Sequence, residues 1–171
     1  MSGIHKLISK ASHSGFYRWI LNRIISYTVP FNAPHHFRIL NIEPGMTEIM
    51  LPYRRSNLNH VKGIHACALA TLCEYTIGMS LISKISEKEY RIILKNLRVD
   101  YHYQGKTDVK ARFLLEESIL RDKIIIPLQN ADAVFHEFEI KVTDSEQNHI
   151  CTGYANWQVK KWHKVSTGTG K

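Results

Sequence analysis

The chain has 171 residues, 44% of them hydrophobic and 22% charged, which is enough for one globular domain and too few for two well-buried cores. This composition excludes a disordered or fibrous chain. The formal net charge of +8 lies in the two ends, since the stretches before Arg38 and after Glu146 each carry four basic residues and no acidic one. The body between them is neutral, so we expect no nucleic-acid partner, because such a partner needs a basic face on the body.

The cysteines and the N-terminal run indicate the compartment. The three cysteines are odd in number, and Cys67 and Cys73 lie in an apolar stretch, so we expect buried thiols in a reducing compartment. The apolar run 16–29 is interrupted by Arg18 and Arg23 and is too short to cross a bilayer. No signal-peptide cleavage pattern follows it. We therefore expect a cytoplasmic protein.

Before Pro30 the apolar residues follow a helical period, which predicts a short helix near 4–11 and a longer one near 15–28. Residues 1–29 would form a helical extension packed on the domain. The longer helix carries one stripe of apolar and basic residues, namely Phe16, Trp19, Ile20, Arg23, Ile24 and Tyr27. We expect this stripe to dock on the domain. Contact with an anionic membrane surface is the weaker alternative.

From Phe37 onward the period is that of β-strands. The predicted strands are 37–42, 46–52, 91–103, 107–115, 133–143 and 149–162. The connection between the fourth and fifth strands is expected to be polar, with a short apolar island at 124–128. Residues 166–171 are expected to form a flexible tail.

The segment 64–83 is mostly small or apolar and contains no proline, lysine or arginine before Lys84. It predicts a helix that is buried on nearly every side. One sheet can cover such a helix only by curling around it. We therefore expect an α+β fold over 30–165, in which a curved antiparallel sheet wraps a long central helix. The sheet edges would remain to be paired, commonly by a second subunit.

Polar residues gather in the loop that enters this helix, at Asn59, His60, Gly63 and His65. At Ala66 the helix start presents free backbone N–H groups at the positive end of the helix dipole, which suits a developing oxyanion. Gly63 allows a tight backbone, and Asn59 and His65 could order a carbonyl or a water. The alternative is that Asn59 caps the helix and His60 is a surface loop residue.

Glu74 is the only charged residue between His65 and Ser83. A carboxylate midway along a buried helix is costly unless it is paired or used, because desolvation raises its pKa. Glu74 is therefore the best candidate in the chain for a general base or nucleophile. The alternative is a structural Glu74 paired with an arginine or a tyrosine.

The run Asn59-x5-His65-Ala66-x7-Glu74 resembles the hotdog-fold thioesterases of the phenylacetate-pathway type, which have Asn, then His-Gly-Gly six residues on, then Asp or Glu nine after the His. The segments 30–32, 52–60 and 97–110 resemble a branch of that superfamily that is carried as a domain of unknown function. The resemblance spans 15–160. It departs at Ala66-Cys67, which replaces Gly-Gly, and in having no Ser or Thr near Leu94 on the strand after the helix.

The resemblance implies hydrolysis of an acyl-CoA or acyl-carrier thioester at the interface of a homodimer or a tetramer. On this resemblance the Ala66 N–H would polarise the thioester carbonyl, and Glu74 would activate water or attack directly. Asn59 would hold the water or the carbonyl, and His65 would shape the loop. Substrate-binding residues would be Gly63, His60, Lys160 and Lys161, the two lysines meeting coenzyme A phosphates. Coenzyme A enters as part of the substrate, and no separate cofactor or metal is expected. The alternative is a non-catalytic acyl or lipid binder, which Ala66-Cys67 favours.

Overall fold

The structure, a computed structural model, describes residues 3–165. Two helices, α1 (Gly3–His13) and α2 (Gly15–Thr28), precede the strands, and a long helix, α3 (Ala66–Lys84), lies among them. The strands are β1 (Arg38–Glu43), β2 (Met46–Leu51), β3 (Tyr90–Tyr101), β4 (Val109–Leu114), β5 (Ala133–Asp144) and β6 (His149–Lys161). Short 3-10 turns occur at Pro30–His35, Arg55–Asn57 and Trp162–Lys164. The tail predicted for 166–171 lies outside the described residues.

The strands form one antiparallel sheet in the order β1-β2-β4-β5-β6-β3, and this sheet curves around α3. Twelve of the 19 residues of α3 are buried. The helix approaches β6 closely at Gly153, where an added Cβ would lie 2.7 Å from the Cys73 Sγ. The predicted α+β architecture, a long helix wrapped by a curved antiparallel sheet, is confirmed.

α3 is long and apolar enough to cross a membrane by length and composition. However, 67% of its most apolar 18-residue window is buried within the domain. Burial under the sheet therefore accounts for its apolarity, as in the core helix of a globular domain.

α2 docks on the domain by a different face from the one expected. Leu21 and Ile25 are its buried residues, and the Asn22 side chain holds the backbone of Ile39 on β1 by accepting from its N–H (2.8 Å) and donating to its carbonyl (3.3 Å). The expectation that the stripe from Phe16 to Tyr27 docks is wrong, because the face of α2 that packs on the domain is the one that carries Leu21 and Ile25. Most of that stripe faces solvent.

The connection between β4 and β5 is helical, not a polar loop. It comprises α4 (Glu117–Ile119), a π-helical turn (Leu120–Ile125) and α5 (Pro127–Asn130). Leu120, Ile124 and Leu128 are buried and stand four residues apart, which is the spacing of one helix face. The charged residues 121–123 between them obscure this helical spacing in the sequence.

The expectation of three buried cysteines is wrong for Cys67. Cys73 and Cys151 are buried, whereas Cys67 is exposed, and all three are free thiols. Cys67 is the second residue of α3, and the helix start projects beyond the sheet that covers the rest. Average apolarity of a segment does not reveal which of its ends is uncovered.

Candidate active site

The loop before α3 is built around Asn59. Its Oδ1 accepts hydrogen bonds from the backbone N–H groups of Val61 (3.1 Å) and Gly63 (3.0 Å), and its own N–H donates to the Gly63 carbonyl (2.8 Å). Gly63 fits there because an added Cβ would lie 2.6 Å from the Gln104 side chain. Asn59 therefore shapes the loop. Its Nδ2 has no hydrogen-bond partner within residues 3–165 and can donate to a carbonyl or a water.

His65 and Ala66 form the start of α3. His65 is the N-cap residue, and its Nδ1 accepts a 3.1 Å hydrogen bond from the Cys67 N–H. Ala66 is exposed, and in the described part of the chain its N–H meets no acceptor. A free N–H group at the positive end of a 19-residue helix can stabilise an oxyanion. The geometry expected of Ala66 is thus present.

Tyr101, the last residue of β3, fixes the helix start to the sheet. Its hydroxyl donates a 2.9 Å hydrogen bond to the Ala66 carbonyl. Beside it a groove of about 330 Å³ is lined by residues that include Asn59, Ala66, Tyr101, Tyr103 and Gln104. Tyr101 was not predicted, because only strand pairing brings the end of β3 to this loop.

Glu74 lies in a second cavity, of about 500 Å³, between α3, the sheet and the N-terminal helices. The walls are mainly apolar and include Ile25, Val29, Phe31, Met79, Ile82, Ile92 and Trp157. At Gly78, one turn after Glu74, α3 packs closely on the Trp157 ring, since an added Cβ would lie 3.1 Å from it. The carboxylate therefore faces an apolar chamber.

Within residues 3–165 the Glu74 carboxylate has no hydrogen bond and no ion pair, so the alternative of a structural Glu74 paired with an arginine or tyrosine is wrong for this part of the chain. Burial raises its pKa from 4.5 to about 6. The neighbouring Tyr75 has its own pKa raised, first by burial and then by the Glu74 charge. A half-buried carboxylate with a pKa near neutrality is suited to take a proton from water.

The two halves of the candidate site do not meet within one chain. Ala66 and Glu74 are eight residues apart on one helix, which separates them by about 12 Å along its axis. Reacting groups must approach to about 3–3.5 Å. Asn59, Gly63, His65 and Ala66 therefore lie together at the helix start, whereas Glu74 lies in its own cavity, apart from those four residues.

The remaining predicted residues lie in two places. His60 is exposed in the Asn59 loop. Lys161 and Lys160 lie opposite Tyr90 and Arg91 in the β6–β3 register. They are therefore at the end of β3 that carries Ile92 and the Glu74 cavity, and not at the Tyr101 end.

Two polar groups of the Glu74 cavity were missed. Asn32 is buried at the cavity wall, and its side chain has no hydrogen-bond partner among residues 3–165. The buried Trp157 Nε1 also lacks a partner in the described chain. A signal for Asn32 was available, since the 30–32 segment carries part of the family resemblance.

Solved structures similar to this one define its fold. A Pseudomonas aeruginosa protein of unknown function, described as a probable thioesterase, superposes with a TM-score of 0.76 at 20% identity, covering 82% of this chain and 94% of that one. A thioesterase from Haemophilus influenzae gives 0.62 at 12% identity, with 82% and 88% covered. The E. coli PaaI protein, from the phenylacetic acid degradation operon, gives 0.59 at 10% identity, with 82% and 91% covered. The fold is the hotdog fold.

The sequence itself matches the family described as "Domain of unknown function (DUF4442)" over residues 17–162. The chain therefore belongs to this family, which fits the branch that the sequence resembles. A comparison with curated proteins gave no match.

Proposed function

We propose that the protein hydrolyses an acyl thioester, carried on coenzyme A or on an acyl-carrier protein, with Glu74 as the general base or nucleophile. One observation carries the proposal most: a carboxylate without a partner in the described chain, facing an apolar cavity of about 500 Å³. Such a group is costly unless it is used. The cavity suits an acyl chain, and the similar solved structures named as thioesterases support the reaction class.

The complete site would form between two copies of the chain. β3 is an edge strand of 12 residues that pairs, within residues 3–165, with β6 alone. Long free edges invite pairing. If two β3 strands pair antiparallel about a two-fold axis between Asn96 and Leu97, Tyr101 of one copy comes beside Ile92 of the other. Tyr101 holds the start of α3, and Ile92 lines the Glu74 cavity, so one copy supplies the Ala66 N–H and the other Glu74.

In the general-base route the Glu74 carboxylate takes a proton from water, and the water oxygen attacks the thioester carbonyl carbon. The Ala66 N–H stabilises the negative oxygen of the tetrahedral intermediate. The intermediate collapses with cleavage of the C–S bond, and the thiolate takes the proton from Glu74. Asn59 Nδ2 is free to hold the water or the carbonyl. If Glu74 attacks directly, its carboxylate oxygen bonds to the carbonyl carbon, the C–S bond breaks and the thiolate leaves. Water then opens the resulting anhydride, which releases the acyl product, regenerates the Glu74 carboxylate and supplies the proton that the thiolate takes.

The rate should follow the ionisation of Glu74. Only the carboxylate form can accept a proton, and burial raises its pKa to about 6. We expect kcat/KM to be low at acidic pH, to rise through an apparent pKa near 6 and to level off above it. A profile of kcat/KM against pH on one acyl-CoA measures this. A profile that is flat between pH values of about 5 and 8 would remove Glu74 from the proton transfer.

Lys160 and Lys161 are proposed to bind coenzyme A phosphates. Both lie at the Glu74 end of the sheet, and Lys160 faces Arg91 in the register, so two cations stand side by side. Reversing both lysines to Glu should raise KM for acyl-CoA by about tenfold and leave KM for a phosphate-free thioester unchanged. Equal effects on the two substrates would mean that the lysines only aid solubility.

The test of the proposal is turnover of acyl-CoAs of graded length by the purified protein. Release of free thiol at a rate that depends on chain length supports hydrolysis. A protein that retains a bound acyl ligand and turns over no thioester would instead be the non-catalytic binder, which the Ala66-Cys67 departure favours.

A further inference from the structure

The outer face of α2 leaves a row of aromatic rings in solvent. Phe16, Trp19 and Tyr27 are 65%, 60% and 86% exposed, and Phe31, in the turn that follows, is 70% exposed. We call these four residues the aromatic face. Phe16 and Trp19 stack on each other, with ring centroids 6.2 Å apart. Single exposed apolar residues are ordinary, but a contiguous row of large ones marks an interaction surface.

Every charged residue in the chain segment that carries the aromatic face is basic. Arg23 stands on the same row as the rings, between Trp19 and Tyr27, and no acidic residue occurs before Glu43. Arg54 and Arg38 also contribute to lowering the pKa of His36, after the larger effect of burial, so both cations lie near the residue that ends the Pro30–His35 turn. The surface therefore suits an anionic partner.

The Glu74 cavity reaches this same surface. Thr28, Val29 and Phe31 line the cavity and are also exposed to solvent. They stand at the end of α2, next to Tyr27. An apolar chamber of about 500 Å³ thus opens beside the aromatic face.

A second copy of the chain is a poor occupant. An isologous contact would place this face against itself and bury two copies of Arg23 in one interface, with no carboxylate from residues 3–42 to offset the charge. A bilayer with anionic lipids offers negative headgroups to the cations and acyl chains to the rings.

We propose that the aromatic face docks on the surface of an anionic lipid bilayer, with the mouth of the Glu74 cavity turned towards the acyl chains. Docking does not require hydrolysis, so it can fail or hold independently of the proposed function. It would let an apolar ligand pass between bilayer and cavity without crossing water.

The test is co-sedimentation of the full chain with phosphatidylcholine vesicles that contain about 30% phosphatidylserine, or none. We expect binding to the anionic vesicles only, weakened by about tenfold or more when NaCl rises from about 0.1 M to about 0.5 M. The triple variant Phe16→Ser, Trp19→Ser, Tyr27→Ser should bind about tenfold more weakly or worse. The matched control is Phe135→Ser, which removes a half-exposed ring from β5 and should bind like the wild type.

Every replaced ring lies at the surface, so we expect the variants to fold, and thermal melts would verify this. Two results would overturn the proposal: no binding of the wild type to anionic vesicles at low salt, or equal binding by the triple variant. A third contradicting result would be a smaller assembly of the triple variant in sedimentation velocity, because it would show that a second copy covers the face.

Discussion

Glu74→Gln lowers kcat by about 10²–10⁴-fold on our account, because the amide cannot accept the proton of the attacking water. The change keeps the size of the side chain in its cavity. The matched control is Glu139→Gln, an exposed carboxylate on β5, which should leave kcat unchanged. Steady-state hydrolysis of one acyl-CoA by the three proteins measures this. Equal rates for wild type and Glu74→Gln would exclude Glu74 from the mechanism.

The same variant should be more stable than the wild type at neutral pH. Burial raises the pKa of Glu74 from 4.5 to about 6, so the folded chain binds this proton more tightly than the unfolded chain does. That stabilisation is complete below pH 4.5 and is lost as the pH rises through 6. Between pH values of about 4 and 8 the unfolding free energy should shift by about 2 kcal/mol in favour of Glu74→Gln. Denaturant titrations at the two pH values measure it, and a shift of zero would contradict the raised pKa.

Ala66→Pro should lower kcat by about 10²–10³-fold, because proline has no N–H to offer the oxyanion. The backbone tolerates the change. Ala66 is the first residue of α3, where proline is favoured, and His65 before it has ψ of 137°, which suits a residue that precedes proline.

Ala66→Gly is the matched control for Ala66→Pro, since it keeps the N–H and removes the methyl group. We expect it to retain at least the wild-type kcat. Melting temperatures of the two variants should stay close to that of the wild type. A fully active Ala66→Pro would assign the oxyanion to another donor.

Much of the fold could be predicted because its elements keep a clear period. The helix predicted at 64–83 is observed at Ala66–Lys84, and the strand predicted at 133–143 is observed at Ala133–Asp144. The prediction failed for α2, because its sequence is compatible with two orientations of the helix on the domain. The α2 stripe could face inward or outward, and only the packing of Leu21 and Ile25 decides between them.

The candidate site was predictable only in its local parts. The 59/65/74 spacing identified the loop, the helix start and the isolated acid, since these stand on one continuous segment. Tyr101, Asn32 and Trp157 come from distant parts of the chain and reach the site through pairing and packing. No local pattern reports such contacts.

The central claim is that Ala66 of one copy and Glu74 of another form one site. The most direct measurement is the kcat of a mixed dimer of Glu74→Gln and Ala66→Pro chains. The two chains are co-expressed with different affinity tags, and the mixed dimer is isolated through both tags. Its two sites differ: one combines an intact Ala66 with an intact Glu74, and the other has neither. We predict that the mixed dimer recovers about half of the wild-type kcat per dimer, although each parent alone is nearly inactive. A mixed dimer as inactive as its parents would contradict the claim.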